Sequence, residues 1–376
     1  MTESLRRASR ASATRVIVGL LVLAASGLAI ARFAGCGRVG HALATLPLRE
    51  RLAQLLVVRF DGPGLSPDAR TMVAEQKAGG VVLYAKWGNV AGEAQLRALT
   101  TAIHDANPLH PLIAIDQEGG RVDRLVAVRG KRPAVTALAA RGIDAIATAG
   151  TEDARDLARL GIGLNLAPVV DVEQVENRQL AERTFGRTPA DVTTLAGAYL
   201  AALQRDGHVV GALKHFPGLG GVREDPHVEI PRIDADRARL ASFDWQPFRT
   251  LIARGDVRAV MVTHAFVGAV DPRHPASLSP ALIGGVLRGE LGFDGVVLAD
   301  ALTMKGVASD APLGDVALAS ILAGADLLLG PASPQDVAAI LDRLERAVAD
   351  GELDRGRVDA SVRRVLELKA RLGLLD

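Results

Sequence analysis

The chain has 376 residues, with 44 Lys and Arg against 43 Asp and Glu, a balance without the basic excess of a dedicated nucleic-acid binder. Half of it is hydrophobic and only 3% aromatic, which fits a folded globular protein and not a stacking platform for single strands. A single cysteine, Cys36, excludes an intrachain disulfide and any zinc site built on several thiolates.

The N-terminus reads as a separate piece. Arg6, Arg7, Arg10 and Arg15 precede an uncharged run from Val16 to Ala31, slightly short of the roughly 20 residues of a comfortable membrane span. A basic segment before an apolar run is the pattern of an export signal or anchor, and the positive-inside rule puts the chain beyond Ala31 outside the cytoplasm. Cys36, after Phe33, Ala34 and Gly35, is similar to a bacterial lipoprotein cleavage site, although Phe33 and Arg32 depart from that pattern. Residues 1–40 are therefore expected to be a signal peptide, lipoprotein signal or membrane anchor, and 46–376 the folded domain.

From residue 46 onward short apolar runs recur between helical stretches. Strands are expected at 55–60, 80–84, 111–115, 162–170, 210–215, 258–264, 295–299 and 325–329. The runs are nearly continuous rather than alternating, as in strands buried on both faces of a parallel sheet. Helical spacing occupies 92–106, 190–206, 236–254 and 334–349, with Asn89, Ser279 and Ser333 at N-cap positions. Eight such units predict an α/β fold, a single (β/α)8 TIM-type barrel. A doubly wound sheet is the alternative, but no GxGxxG follows the first strand.

A barrel places its chemistry just past the C-terminal ends of the strands. Asp116, Asp171, Lys214 with His215, His264 and Asp300 stand there. In 115–124 (IDQEGGRVDR), Asp116, Glu118, Arg121 and Arg124 surround two glycines, a set able to hold several sugar hydroxyls by charge-assisted hydrogen bonds; a structural ion-pair turn is the plainer alternative. In 214–227 (KHFPGLGGVREDPH) a glycine-hinged loop follows Lys214 and His215 and ends in Asp225 and His227, a carboxylate two residues from an imidazole suited to acid/base work; a solvated surface Asp and His is the plainer alternative for the pair alone. Asp300 ends the apolar VVLA; it is either a rigidly held nucleophile or the cap of the next helix. Arg183 in ERTFG could reach a substrate hydroxyl or acetamido carbonyl or lie on the surface, and His264 could be purely structural.

Taken together, IDQEGGRV, ERTFG, KHFPG with DPH downstream, PASLSP and LGFDGVVLADALTM resemble the bacterial β-N-acetylglucosaminidases of glycoside hydrolase family 3 over roughly residues 46–372. The resemblance implies a barrel, a retaining mechanism and removal of terminal GlcNAc from peptidoglycan fragments. It further implies Asp300 as nucleophile, His227 as acid/base with Asp225 as its partner, and Asp116, Arg124, Arg183, Lys214 and His215 as the residues that hold the sugar. It calls for no metal and no organic cofactor. The expected partners are a GlcNAc-containing muropeptide or oligosaccharide and, through the N-terminus, the membrane; no nucleic acid is expected, and a monomer is. The chain departs from the family pattern at Leu219, Gly221, Val222, Pro226 and Ala301. The rival readings are a family 3 glycosidase of other specificity, a phosphorylase using the same histidine, and an inactive muropeptide-binding lipoprotein.

Overall fold

The computed structural model describes residues 37–175, 178–222, 230–304, 307 and 311–375. Eight parallel strands close into a barrel: β1 (Leu56–Val58), β2 (Gly80–Leu83), β3 (Leu112–Ile115), β4 (Leu164–Asn165), β5 (Val210–Phe216), β7 (Ala259–Val262), β10 (Val296–Ala299) and β11 (Leu327–Leu329). Their order around the barrel is β1-β2-β3-β4-β5-β7-β10-β11, with β11 closing on β1 through Leu56–Leu328 and Val57–Leu329. Every residue of these strands is buried, as a sheet covered by side chains inside and helices outside requires. All eight expected strands are present.

Most are trimmed by a few residues at their ends, and two depart further. Of 162–170 only Leu164 and Asn165 join the ladder, because Pro168 has no N–H to donate; Leu166 and Val170 carry the chain on through single bonds to Ile115 O (2.8 Å) and Lys214 O (2.7 Å). The β5–β7 pairing shifts register between Leu213 and Phe216, where the Lys214–His215 peptide is cis.

The helices lie outside. Glu93–Ala106, Pro189–Leu203 and Pro334–Ala349 fall where the spacing predicts them. The stretch 236–254 is not one helix: Arg237–Arg239 leads into a π-wound Leu240–Asp244, and Gln246–Ala253 follows with Pro247 in its first turn. Ser333 caps its helix by accepting from Asp336 N, and Ser279 Oγ accepts from Leu282 N (3.2 Å) at the start of Ala281–Glu290. Asn89 is not a cap. It is fully buried and ties the loops after β1 and β2 together, accepting from Tyr84 N (3.1 Å) and donating to Phe60 O and Gly62 O. Three short strands that the sequence did not signal, β6 (Arg232–Ile233), β8 (Phe266–Val267) and β9 (Asp271–Pro275), form a small sheet in the order β6-β8-β9 beside the barrel.

The C-terminal helix Arg355–Arg371 returns to the start of the barrel. Lys369, wholly buried, donates to Gln54 Oε1 (2.7 Å) and Leu109 O (3.0 Å), and Arg51 pairs with Asp359 at 2.8 Å. Among the described residues no helix is long and apolar enough to cross a membrane. Residues 1–36, which hold the basic segment, the apolar run and Cys36, lie outside the described residues, as do Asp225 and His227.

Candidate active site

One cavity of about 240 Å³ opens at the C-terminal ends of the strands. That is below the roughly 300–1,000 Å³ of sites for drug-sized ligands, and suits one monosaccharide. Asp116, Arg124, Arg183, Lys214, His215 and Asp300 all line it, so six of the eight residues to which the family resemblance assigns a role meet around one space.

The β3 loop supplies the first group. Asn165 on the neighbouring strand accepts from Gln117 N (3.0 Å), and the Gln117 side chain accepts from Arg124 N (2.9 Å) and Leu125 N (3.2 Å), folding the loop back on itself. The turn between them passes through Gly119 and Gly120, both at positive φ; a Cβ on Gly120 would stand 2.8 Å from Ala134 Cα. The fold-back brings the Arg124 guanidinium to 3.5 Å from Asp116 and over the Tyr84 ring, 5.2 Å from its centre.

Glu118 is the hub of the polar floor. Its buried carboxylate accepts two bonds from Arg183 (2.7 and 2.8 Å), and its Oε1 lies 2.6 Å from Lys214 Nζ. Lys214 also donates to Asp116. Burial alone would push the Glu118 carboxyl up; Lys214 and then Arg183 outweigh it and hold the group well below the ordinary carboxylate range. Arg183 is correspondingly held in its charged form by Glu118 against its own burial. The sequence displays Glu118 two residues after Asp116, but its partners lie 65 and 96 residues on along the chain and nothing local reveals them.

His215 is fixed by Asp171, which accepts from its Nδ1 at 2.7 Å and from Leu219 N at 2.8 Å. Asp171 thus holds both the imidazole and the start of the following loop. That loop is bound to its neighbour again where Gln174 N donates to Gly220 O (2.9 Å); any side chain at Gly220 would collide with Val172 O, only 1.7 Å from a Cβ. The Gln174 side chain donates to Asp244 Oδ1 (2.6 Å) and accepts from Arg239 (2.7 Å). Burial pushes the Asp244 carboxyl up to about 6.

Asp300 continues β10, its N–H bonding to Val262 O (3.0 Å), and its Oδ1 accepts from Ala301 N (2.8 Å). It does not cap a helix among the described residues: the next one begins at Leu313, with Pro312 at its cap. The carboxylate is part-exposed in the cavity, and among the described residues no hydrogen bond reaches its second oxygen. His264 stands behind it. Its Nε2 donates to Ala301 O (3.0 Å), its Nδ1 accepts from Ser277 (2.6 Å), and burial lowers its pKa, so it is a neutral prop for the turn after Asp300. Tyr84 completes the wall; burial, then the nearby Asp116 and Asp300, keep its phenol protonated. Among the described residues no group of His, Cys, Asp and Glu could hold a metal ion.

A rigid carboxylate facing a monosaccharide-sized cavity floored by charged donors is suited to displacement at a sugar carbon. Residues 47–368 match the model of the glycosyl hydrolase family 3 N-terminal domain. The chain belongs to glycosyl hydrolase family 3. It is a glycoside hydrolase, and its relatives agree on the kind. It is 38% identical over 296 residues to a β-hexosaminidase of Alkalilimnicola ehrlichii, covering 77% of this chain and 84% of that one. It is 36% identical over 345 residues to the β-hexosaminidase LpqI of Mycobacterium tuberculosis, covering 89% and 86%. Among solved structures, a family 3 β-N-acetylglucosaminidase from Paenibacillus superposes with a TM-score of 0.82 at 35% identity; the match covers 88% of this chain but only 63% of the longer Paenibacillus chain.

Proposed function

We propose that this family 3 enzyme is a retaining β-N-acetylhexosaminidase that removes terminal β-linked GlcNAc from peptidoglycan fragments. The observation that carries the reading is the convergence of Asp300, at the end of β10, with Asp116, Arg124, Arg183, Lys214 and His215 around one small cavity. Asp300 attacks the anomeric carbon with its second oxygen while the bond to the leaving oxygen breaks, giving a glycosyl-enzyme ester. His227, oriented by Asp225, delivers the proton to that oxygen and then removes one from the water that cleaves the ester. Support for these two residues comes from the sequence words around them and from the path of the loop: Leu219 and Val222 line the cavity, and His227 follows five residues later. The aglycone leaves through the open side.

Arg183 and Lys214, both bound to the Glu118 carboxylate, offer N–H donors to the acetamido and hydroxyl groups. A site built to bond a polar group discriminates by orders of magnitude against an analogue lacking it. The basic and apolar pattern of the N-terminal segment supports a location on the outer face of the cytoplasmic membrane, the compartment where peptidoglycan lies. The test compares kcat/KM for 4-nitrophenyl β-GlcNAc and β-glucoside. A strong preference for the GlcNAc glycoside is expected; equal efficiencies would make the enzyme a broad β-glycosidase.

A further inference from the structure

The cations of the cavity are not equivalent. Three are committed: Lys214 to Asp116 and Glu118, Arg183 to Glu118 through two N–H groups, and Arg124 to Asp116. A guanidinium or ammonium already neutralised by a carboxylate still donates to hydroxyl and amide oxygens, but it exerts little net pull on an anion. The inner wall therefore suits a neutral sugar. Arg121 differs. It lines the same cavity but is exposed, and among the described residues its partner is a backbone oxygen, the carbonyl of Arg178, with no carboxylate in ion-pair range. Burial runs from Lys214 and His215, both nearly inaccessible, through half-buried Asp116 and Arg124 to Arg121 at the rim.

An enzyme that removes a terminal sugar seats that sugar in the closed end of its cavity, so the leaving portion lies at the rim. We infer that Arg121 is a specificity-determining residue that pairs with a carboxylate on the leaving sugar, and that the enzyme prefers GlcNAc glycosides of acidic sugars to those of neutral ones. The inference rests on the reading of the cavity as a GlcNAc site. The carboxylate could be the lactyl ether of a muramic acid or the C6 carboxylate of a uronic acid; both offer a planar acceptor matching the two-pronged guanidinium donor. Because the pair is partly exposed, its effect is modest and salt-sensitive.

The experiment measures kcat/KM on three disaccharides that share a β-1,4-linked GlcNAc: chitobiose, GlcNAc–N-acetylmuramic acid and GlcNAc–glucuronic acid. The wild type is expected to favour the muramic disaccharide over chitobiose by about tenfold at low salt, the order of one charged hydrogen bond, and the ratio should shrink in 0.5 M NaCl (roughly a 4 Å Debye length). Arg121→Gln should bring the ratio close to one, and Arg121→Lys should keep part of it because the charge remains. A preference for the uronide alone would keep the carboxylate reading and change its source. Equal efficiency on all three, or a ratio that survives Arg121→Gln, overturns the inference while leaving the glycosidase intact. Failure to cleave any GlcNAc glycoside would instead remove the reading on which it rests.

Discussion

Replacing Glu118 by Gln keeps the shape of the side chain and removes one charge from the floor of the site. In the native arrangement two carboxylates, Asp116 and Glu118, face Lys214, Arg124 and Arg183. The variant leaves three cations around Asp116 alone, and one end of the new amide points an N–H at the donors of Arg183 or Lys214. At an effective dielectric near 20 and about 4 Å between charge centres, one lost pair is worth roughly 4 kcal/mol. That agrees with the roughly 3–5 kcal/mol measured when one partner of a buried pair is removed. With about 2–4 °C per kcal/mol for chains somewhat shorter than this one, the melting temperature should fall by roughly 10 °C. Arg183 and Lys214 would lose their fixed spacing, and kcat/KM on 4-nitrophenyl β-GlcNAc should drop by about a hundredfold. The pH dependence supplies a check. Because the Glu118 pKa is lowered on folding, the unfolded chain takes up its proton first, so the ion pairs stabilise above the unfolded value of about 4.3 and that stability fades as pH falls below it. The melting gap between wild type and variant should stay constant from pH 5 to 8 and narrow in more acidic buffer. A variant melting within 2 °C of wild type, with kcat/KM within a factor of two, would refute Glu118 as the organiser of the sugar-binding cations.

Asp244 should behave in the opposite sense: its pKa is raised to about 6 by burial, so its share of stability is full below about 4 and is lost as pH rises through 6, by up to about 3 kcal/mol. Asp244→Asn should therefore gain on the wild type in thermal melts between pH 4 and 7, and a flat difference would contradict the assignment. His227→Ala should lose about 10²–10⁴-fold on GlcNAc–muramic acid and far less on an activated aryl glycoside, whose phenolate leaves without a proton; a uniform loss would make His227 a binding residue. Full-length protein should sediment with membranes, whereas a chain lacking residues 1–40 should be soluble and active; recovery of the full-length protein in the cytosolic fraction would overturn the export reading.

The barrel was legible because parallel strands buried on both faces leave continuous apolar runs, and the site because its charged groups follow those runs directly. The features that escaped the sequence depend on distant partners or very short pairings. β6 has two residues, Arg232 and Ile233, too few for any period, and it exists because β8 lies alongside it. Asn89 has the residue type of a helix cap, but its amide is consumed by Phe60 and Gly62 on another loop. His264 could not be assigned from its neighbours in sequence, since Ser277 and Ala301 decide its state. Glu118 was visible as one charge among five in 115–124, but its rank over Arg121 emerges only where Lys214 and Arg183 converge on it.

The central claim is a covalent intermediate on Asp300, and trapping it is the most direct test. A fluorinated GlcNAc glycoside with an activated leaving group should glycosylate the enzyme quickly and be released slowly. Peptide mass spectrometry should then find one sugar on the peptide containing Asp300, and Asp300→Ala should accumulate no adduct, lose turnover by many orders of magnitude and still melt as wild type does. An adduct on another side chain, or rapid turnover by Asp300→Ala, would contradict the account.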